Sequence, residues 1–179
     1  ALDDDGQQVD AFFDPEVEFL EIGASASGPD GATRNEWKVF GPDLNGAYGG
    51  LQGIGGLEGV IDQDSGDAVG VVNDSFGTCV AWITSPGGTP TWNACRVTGY
   101  GPAADSFQKP FSTGISLAEA TVWRSRRVDP TGFFWLGARY YEPHGGRFLS
   151  PDPLGHGASW SLYDYAAGDP VNGVDPDGR

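Results

Sequence analysis

Methionine is absent from the 179 residues, cysteine and histidine occur twice each, and basic residues number 10 against 25 acidic ones. Each shortage excludes something. A net charge of −15 repels phosphate backbones instead of gathering their counterions, which argues against a nucleic-acid partner. His144 and His156 stand alone, with nothing at metal-ligand spacing around them, so neither a metal nor any other cofactor is expected. No run of eighteen apolar residues occurs and no basic-then-apolar leader precedes Ala1. Membrane insertion is therefore not expected. Without an initiator methionine, Ala1 reads as the limit of a piece of something longer, ordinary removal of the initiator being the alternative.

Also missing is any long stretch with apolar residues every three or four positions, so extended helices are not expected. What the chain has instead is 29 glycines and 13 prolines beside 6 Trp, 6 Tyr and 10 Phe. That many large rings do not fit a disordered linker. Short strands joined by tight turns do, and the length suffices for one domain with its own core.

Alternation predicts strands over Val17–Ile22, Asn35–Phe40, Val60–Asp62 and Ala68–Asn73, with Gly28-Pro29-Asp30-Gly31 as the turn of a polar loop over Ser25–Arg34. Gly41 to Gly59 holds eight glycines in nineteen residues, yet Glu58 stands where a dinucleotide fingerprint needs its third glycine. Bends and close strand packing explain the stretch better. Ala103–Ser116 has the least pattern and is expected to be a surface excursion. Two further strands follow, Thr121–Val128 and Gly132–Tyr141, about the turn Asp129-Pro130-Thr131-Gly132. The second carries aromatic bulk on both faces, as a strand covered on both sides would.

Cys79 and Cys95 flank the turn cluster Ser85–Pro90, which should fold Thr78–Thr84 onto Thr91–Val97. In a hairpin centred there the two sulfurs sit close enough for a bridge, which would stabilise by about 3 kcal/mol and imply an oxidising compartment. Two buried thiols are the alternative.

The run Thr131-Gly132-Phe133-Phe134-Trp135-Leu136-Gly137-Ala138-Arg139-Tyr140-Tyr141-Glu142-Pro143, followed by Gly146-Arg147-Phe148-Leu149-Ser150-Pro151-Asp152-Pro153, resembles the Rhs repeat-associated core of the Rhs/YD-repeat family. Leu162-Tyr163-Asp164-Tyr165, Gly168-Asp169-Pro170-Val171-Asn172 and Asp175-Pro176-Asp177-Gly178 resemble its closing lines, with Glu142 where Asp is usual and His156 and Arg179 where Leu is frequent. The resemblance implies an all-β fold: a YD-repeat-type antiparallel β-hairpin sheet that forms part of a spiralling shell, or cocoon, with a C-terminal core plug. It divides the chain into an entry strand and loop (1–34), a hairpin sheet (35–128) and the core with its self-cleavage motif (129–179). It further implies a secreted or surface-located bacterial protein whose variable C-terminal toxin is enclosed and cut free autocatalytically. Arg179, one residue past Asp-Pro-Asp-Gly, then reads as a natural product terminus, and Gly178 and Arg179 as the cleavage site.

Asp-Pro-x-Gly is first of all a turn, and the chain has three, starting at Asp129, Asp152 and Asp175. A catalytic reading rests on the pair Asp152 and Asp175, 23 residues apart, a spacing similar to the family's. Two carboxyls meeting in a partly dry site divide into an acid and a base, the division that peptide hydrolysis needs. Arg147 is the candidate to orient one of them, and Asp177 competes with Asp175. Beside the toxin-enclosing reading stand a self-assembling or adhesive surface building block with no cargo, and a glycan-binding module suggested only by the aromatic count. The expected partners are accordingly a C-terminal toxin, further repeats N-terminal to this piece, or copies of the chain.

Overall fold

The computed structural model describes residues 6–84, 87–103, 105–106, 109–157 and 160–179. Its largest element is a seven-stranded antiparallel sheet in which spatial order equals chain order: β1 (Gln8–Phe13), β2 (Glu21–Ser27), β3 (Thr33–Phe40), β4 (Leu57–Asp62), β5 (Ala68–Asn73), β6 (Cys79–Ile83) and β7 (Thr91–Trp92). Successive strands are antiparallel neighbours, and the tight turns β2–β3 and β4–β5 are made by residues that favour them. Gly31 takes φ +83° and donates its N–H to Gly28 O, and the Asp62 carboxylate accepts the N–H groups of Asp64 and Ser65. The entry segment 1–34 is continuous with this sheet, since β2 pairs with β3 from Ser27↔Thr33 to Gly23↔Trp37.

One face of the sheet is covered. Val9, Ala24, Ala26 and Val60 pack there against Phe111 and the short helix α1 (Leu117–Ala120). Ser116 caps that helix in a capping box with Glu119. The buried Glu36 carboxylate reaches across from β3 to accept from Ser116 Oγ and Leu117 N. Of the expected excursion Ala103–Ser116, Phe111 is instead in the core and Ser116 caps the helix, while Gly114 between them is exposed. The other sheet face leaves Phe12 stacked on Trp37 (5.2 Å between centroids), with Val39 and Ile61, partly in solvent.

Four elements differ from the sequence expectation. Val17–Leu20 is a turn, with Phe19 at φ +62°, so the strand begins only at Glu21. Thr121–Val128 is a tight hairpin of β10 (Thr121–Trp123) and β11 (Arg126–Arg127), turned by Arg124 and Ser125 at φ +54° and +57°. Short strands β8 (Val97–Thr98) and β9 (Gly101–Pro102) pair just before it. Gly132–Tyr141 likewise folds back on itself as β12 (Phe134–Trp135) and β13 (Tyr140–Glu142), and β14 (Arg147–Phe148) completes a three-stranded sheet. Only one face of that sheet is covered: Phe134 and Tyr141 are buried while Trp135 and Tyr140 are half exposed.

No disulfide joins Cys79 and Cys95. The register Ala81↔Trp92 and Trp82↔Thr91 would set Ala94, not Cys95, opposite Cys79, and the ladder stops at Trp92. Asn93 then satisfies the strand end, accepting from Cys95 N and donating to Cys79 O. Cys79 is a buried thiol pushed up to about 12 by desolvation. Of the turn cluster between the cysteines, Ser85 and Pro86 lie outside the described residues, as does the acidic start Ala1–Asp5.

The second core is aromatic. Trp123 stacks on Tyr141 (5.2 Å, 21°), meets Phe134 edge-on (5.3 Å, 70°) and touches Tyr165 (5.4 Å), with Phe148 behind. It ties the β10–β11 hairpin, the three-stranded sheet and the returning tail into one unit.

Between the two cores lies a buried ion cluster. Glu21 Oε1 is 3.0 Å from Lys38 Nζ and Glu21 Oε2 is 3.0 Å from Arg127 Nη2. Burial pushes the Glu21 carboxyl up, but the two cations outweigh it and hold it down to about 2. Because the folded value lies below the ordinary 4.5, the contribution is fully present above that pH and is lost as the pH falls towards 2. Urea midpoints measured across that window are expected to fall by the equivalent of about 2 kcal/mol, and much less in Glu21→Gln.

Candidate functional site

The tail from Ala166 to Arg179 forms no strand, only a short 3₁₀ turn at Ala166–Gly168. Prolines at 170 and 176 remove ladder donors, so its carbonyls need other partners. Three buried arginines supply them. Arg124 Nη2 donates to Pro170 O (2.9 Å), Arg126 Nη2 to Pro176 O (2.6 Å) and Arg139 Nε to Gly178 O (2.6 Å). Ala138 N also donates to Asp177 O (2.8 Å), which seats the tail on the β12–β13 turn. Gly178 is required there: its φ is +72°, and a Cβ would lie 2.4 Å from Leu136 O.

Arg139 organises the site. It occupies that turn, where Leu136 N donates to Arg139 O, and Gly137 at φ +77° lets the chain reverse. Its guanidinium lies 3.6 Å over the Phe148 ring and is almost wholly buried. Nη1 donates to Leu162 O (2.9 Å), and Nη2 donates to Asp152 Oδ2 (3.0 Å) and stands 3.6 Å from Asp175 Oδ2. The two carboxylates singled out in the sequence therefore meet at one nitrogen, each side chain only 8% exposed.

Both keep their turn roles while doing so. Asp152 Oδ1 accepts from Leu154 N (2.7 Å), and Asp175 Oδ1 accepts from Gly178 N (2.7 Å) and Arg179 N (3.3 Å). The Gly178–Arg179 peptide is thus gripped at both ends, its carbonyl by Arg139 and its N–H by Asp175. Burial pushes the Asp175 carboxyl above the usual carboxylate range, against the Gly178 N–H and Arg139, which pull it down. A raised value favours the protonated acid near neutral pH relative to an exposed aspartate.

Arg147 is not part of this arrangement. It is exposed on β14, its backbone paired with Glu142 and Asp164, because the strand alternation that buries Phe148 turns Arg147 outward. Asp177 makes no ion pair with Arg139 among the described residues but stays beside the bond, accepting from Arg179 N (3.2 Å) and pairing with the Arg179 guanidinium (3.0 Å), which also meets Glu18 (2.7 Å). His144 and His156 are both exposed, and among the described residues no cluster of His, Cys, Asp and Glu could hold a metal. None of the helices among them is long and apolar enough to cross a membrane.

A hairpin-by-hairpin antiparallel sheet is thus closed by an arginine-strapped tail with paired aspartates. The proteins that it resembles fit an Rhs-repeat-associated C-terminal region. It is 30% identical over 123 residues to the toxin subunit YenC2 of Yersinia entomophaga, covering 66% of this chain and 13% of that protein. It is 32% identical over 108 residues to the probable deoxyribonuclease RhsA of Dickeya dadantii, covering 60% of this chain and 7% of that protein. The crystal structure of TcdB2-TccC3 shares the fold at a TM-score of 0.64 and 19% identity, over 98% of this chain and 8% of that one. No family model matches. The chain thus spans a small fraction of the length of each of these proteins.

Proposed function

We propose that this chain is the closing segment of a secreted Rhs/YD-type β-shell that encloses or presents a C-terminal toxin, and that it cuts itself from that cargo at Gly178–Arg179. The observation that carries the cut is the shared guanidinium: Arg139 holds both carboxylates and the Gly178 carbonyl oxygen at once. The relatives' names, a toxin subunit and a probable deoxyribonuclease, support the cargo. In the division 1–34, 35–128 and 129–179, the first two segments supply wall and the last supplies plug and blade.

The chemistry follows from the contacts. Asp152, paired with Arg139, takes a proton from a water as the water oxygen bonds to the Gly178 carbonyl carbon. The electron pair displaced onto the carbonyl oxygen is met by Arg139 Nε, 2.6 Å away in the ground state, which acts as an oxyanion donor in a site with little water. Asp175, whose carboxyl burial pushes above the usual carboxylate range, gives a proton to Arg179 N as the C–N bond breaks. The products are a Gly178 carboxylate and a free Arg179 amine, with no cofactor and a single turnover.

The test uses the chain extended past Arg179 by a reporter domain. Time courses on gels are expected to show scission in the wild type and a drop of at least about a hundredfold in Asp152→Asn and in Asp175→Asn. Undiminished scission in both variants would remove the dyad. In the wild type the rate is expected to fall as the pH rises through the Asp175 value, because the acid must be protonated to act.

A further inference from the structure

Between β1, β3 and the β10–β11 hairpin the fold leaves a cavity of about 190 Å³ that opens to solvent and that the scission chemistry does not use. Its floor carries an excess of positive charge. Lys38, Arg126 and Arg127 line it, and Glu21 is divided between Lys38 and Arg127. Asp129, at the rim, is committed to its own turn, accepting from Thr131 N (2.8 Å) and Phe133 N (3.3 Å).

Arg126 feels the charges of Glu21, Asp175 and Asp177 without touching any of them. It is 6% exposed, and among the described residues no carboxylate lies within ion-pair distance of it. Its two Nη atoms donate only to backbone carbonyls, Phe19 O (3.2 Å) and Pro176 O (2.6 Å), and its Nε has no hydrogen-bond partner among the described residues. A buried guanidinium with an unmatched donor is destabilising unless an acceptor reaches it. Desolvation accordingly drags it down to about 10.

The remaining wall is apolar and aromatic: Phe13, Phe40, Trp135 and Tyr140 face the same space, with the small Ala11 of β1 among them. A few convergent polar groups within an apolar lining are the ordinary composition of a small-molecule site. The charge state selects among anions. At −15 overall the molecule repels a phosphate dianion more strongly than a monoanion. The volume admits a compact body, not a peptide strand.

We propose that this cavity is a binding site for a small monocarboxylic acid with an aromatic or branched aliphatic body, its carboxylate accepting from Arg126 and its body against Phe13, Phe40 and Trp135. Phenylacetate is the probe, with phenylacetamide as its uncharged counterpart, titrated into the intact chain by calorimetry and followed at the arginine Nε–H resonances. Saturable binding of phenylacetate is expected, at least about tenfold tighter than the amide, with one arginine Nε–H signal shifting in step.

Arg126→Gln, checked for its fold by circular dichroism, is expected to lose that preference for the carboxylate. Ala11→Leu, which fills the cavity without touching a charge, is expected to weaken binding at least about tenfold whether or not the arginine variant folds. The proposal is overturned by any one of three results: no saturable binding to the folded wild type, equal binding of acid and amide, or full affinity in Ala11→Leu.

Discussion

Replacing Arg139 by methionine in the chain extended past Arg179 is expected to stop scission and to unfold the tail at a lower temperature. Both effects have one origin. The guanidinium is buried over Phe148 and serves Gly178 O, Leu162 O, Asp152 and Asp175 together. Methionine fills the space over the ring but leaves two carboxylates facing each other without a cation, which is worth about 3–5 kcal/mol of destabilisation. It also removes the donor to the developing oxyanion, which costs on the order of 10²–10³ in rate. Arg139→Lys retains the charge without the planar fork, so it cannot reach both carboxylates and the carbonyl at once. It is expected to fall between wild type and Arg139→Met in thermal midpoint and to stay close to Arg139→Met in rate. An Arg139→Met chain that melts and cuts like the wild type would contradict both assignments.

Trp123→Ala should behave in the opposite way. Trp123 sits at the centre of the aromatic core, in contact with Phe134, Tyr141 and Tyr165, and makes no contact with either aspartate. Truncating it removes the ring on which three pieces of chain converge, at about 3–5 kcal/mol. A large drop in the thermal midpoint is expected by calorimetry. At a temperature where the variant is still folded, scission should proceed within a fewfold of the wild-type rate, because Asp152, Asp175 and Arg139 keep their contacts. Loss of scission in a folded Trp123→Ala chain would mean that the aromatic core sets the site and not only the stability.

The hairpins β3 to β6 were legible because alternation and turn chemistry agree there: Asn35–Phe40, Val60–Asp62 and Ala68–Asn73 stop at Gly or Asp residues that the fold uses as turns. The aspartate pair was singled out through its resemblance to a family motif, and both carboxyls lie at the Arg139 guanidinium. Hairpins turned by residues without a turn signature were not. Arg124 and Ser125 take left-handed φ with no glycine or asparagine to mark them, so Thr121–Val128 reads as one strand. Phe19 does the same inside Val17–Ile22, a segment whose alternation looks like a strand.

Arg139 was missed for a related reason. Nearness in sequence to Asp152 favoured Arg147, whereas β14 alternation turns that side chain outward. The signal available was the company Arg139 keeps: a lone cation inside Phe134-Trp135-Leu136-Gly137-Ala138-Arg139-Tyr140-Tyr141, a run apolar enough to be buried, has to find a carboxylate. The cysteine pair failed on register. A hairpin centre read from the cysteine numbers is off by half a residue, which shifts the register by one, and one residue moves a side chain to the other face of a ladder.

The central claim is that Asp152, Asp175 and Arg139 hydrolyse the peptide between Gly178 and Arg179. Its most direct test is intact-mass analysis of the N-terminal product formed by the extended chain in H₂¹⁸O. The account expects a fragment ending at Gly178 with one ¹⁸O in its new carboxylate, and no such fragment from Asp175→Asn. A product ending elsewhere, one without the label, or the same labelled fragment from Asp175→Asn would contradict it.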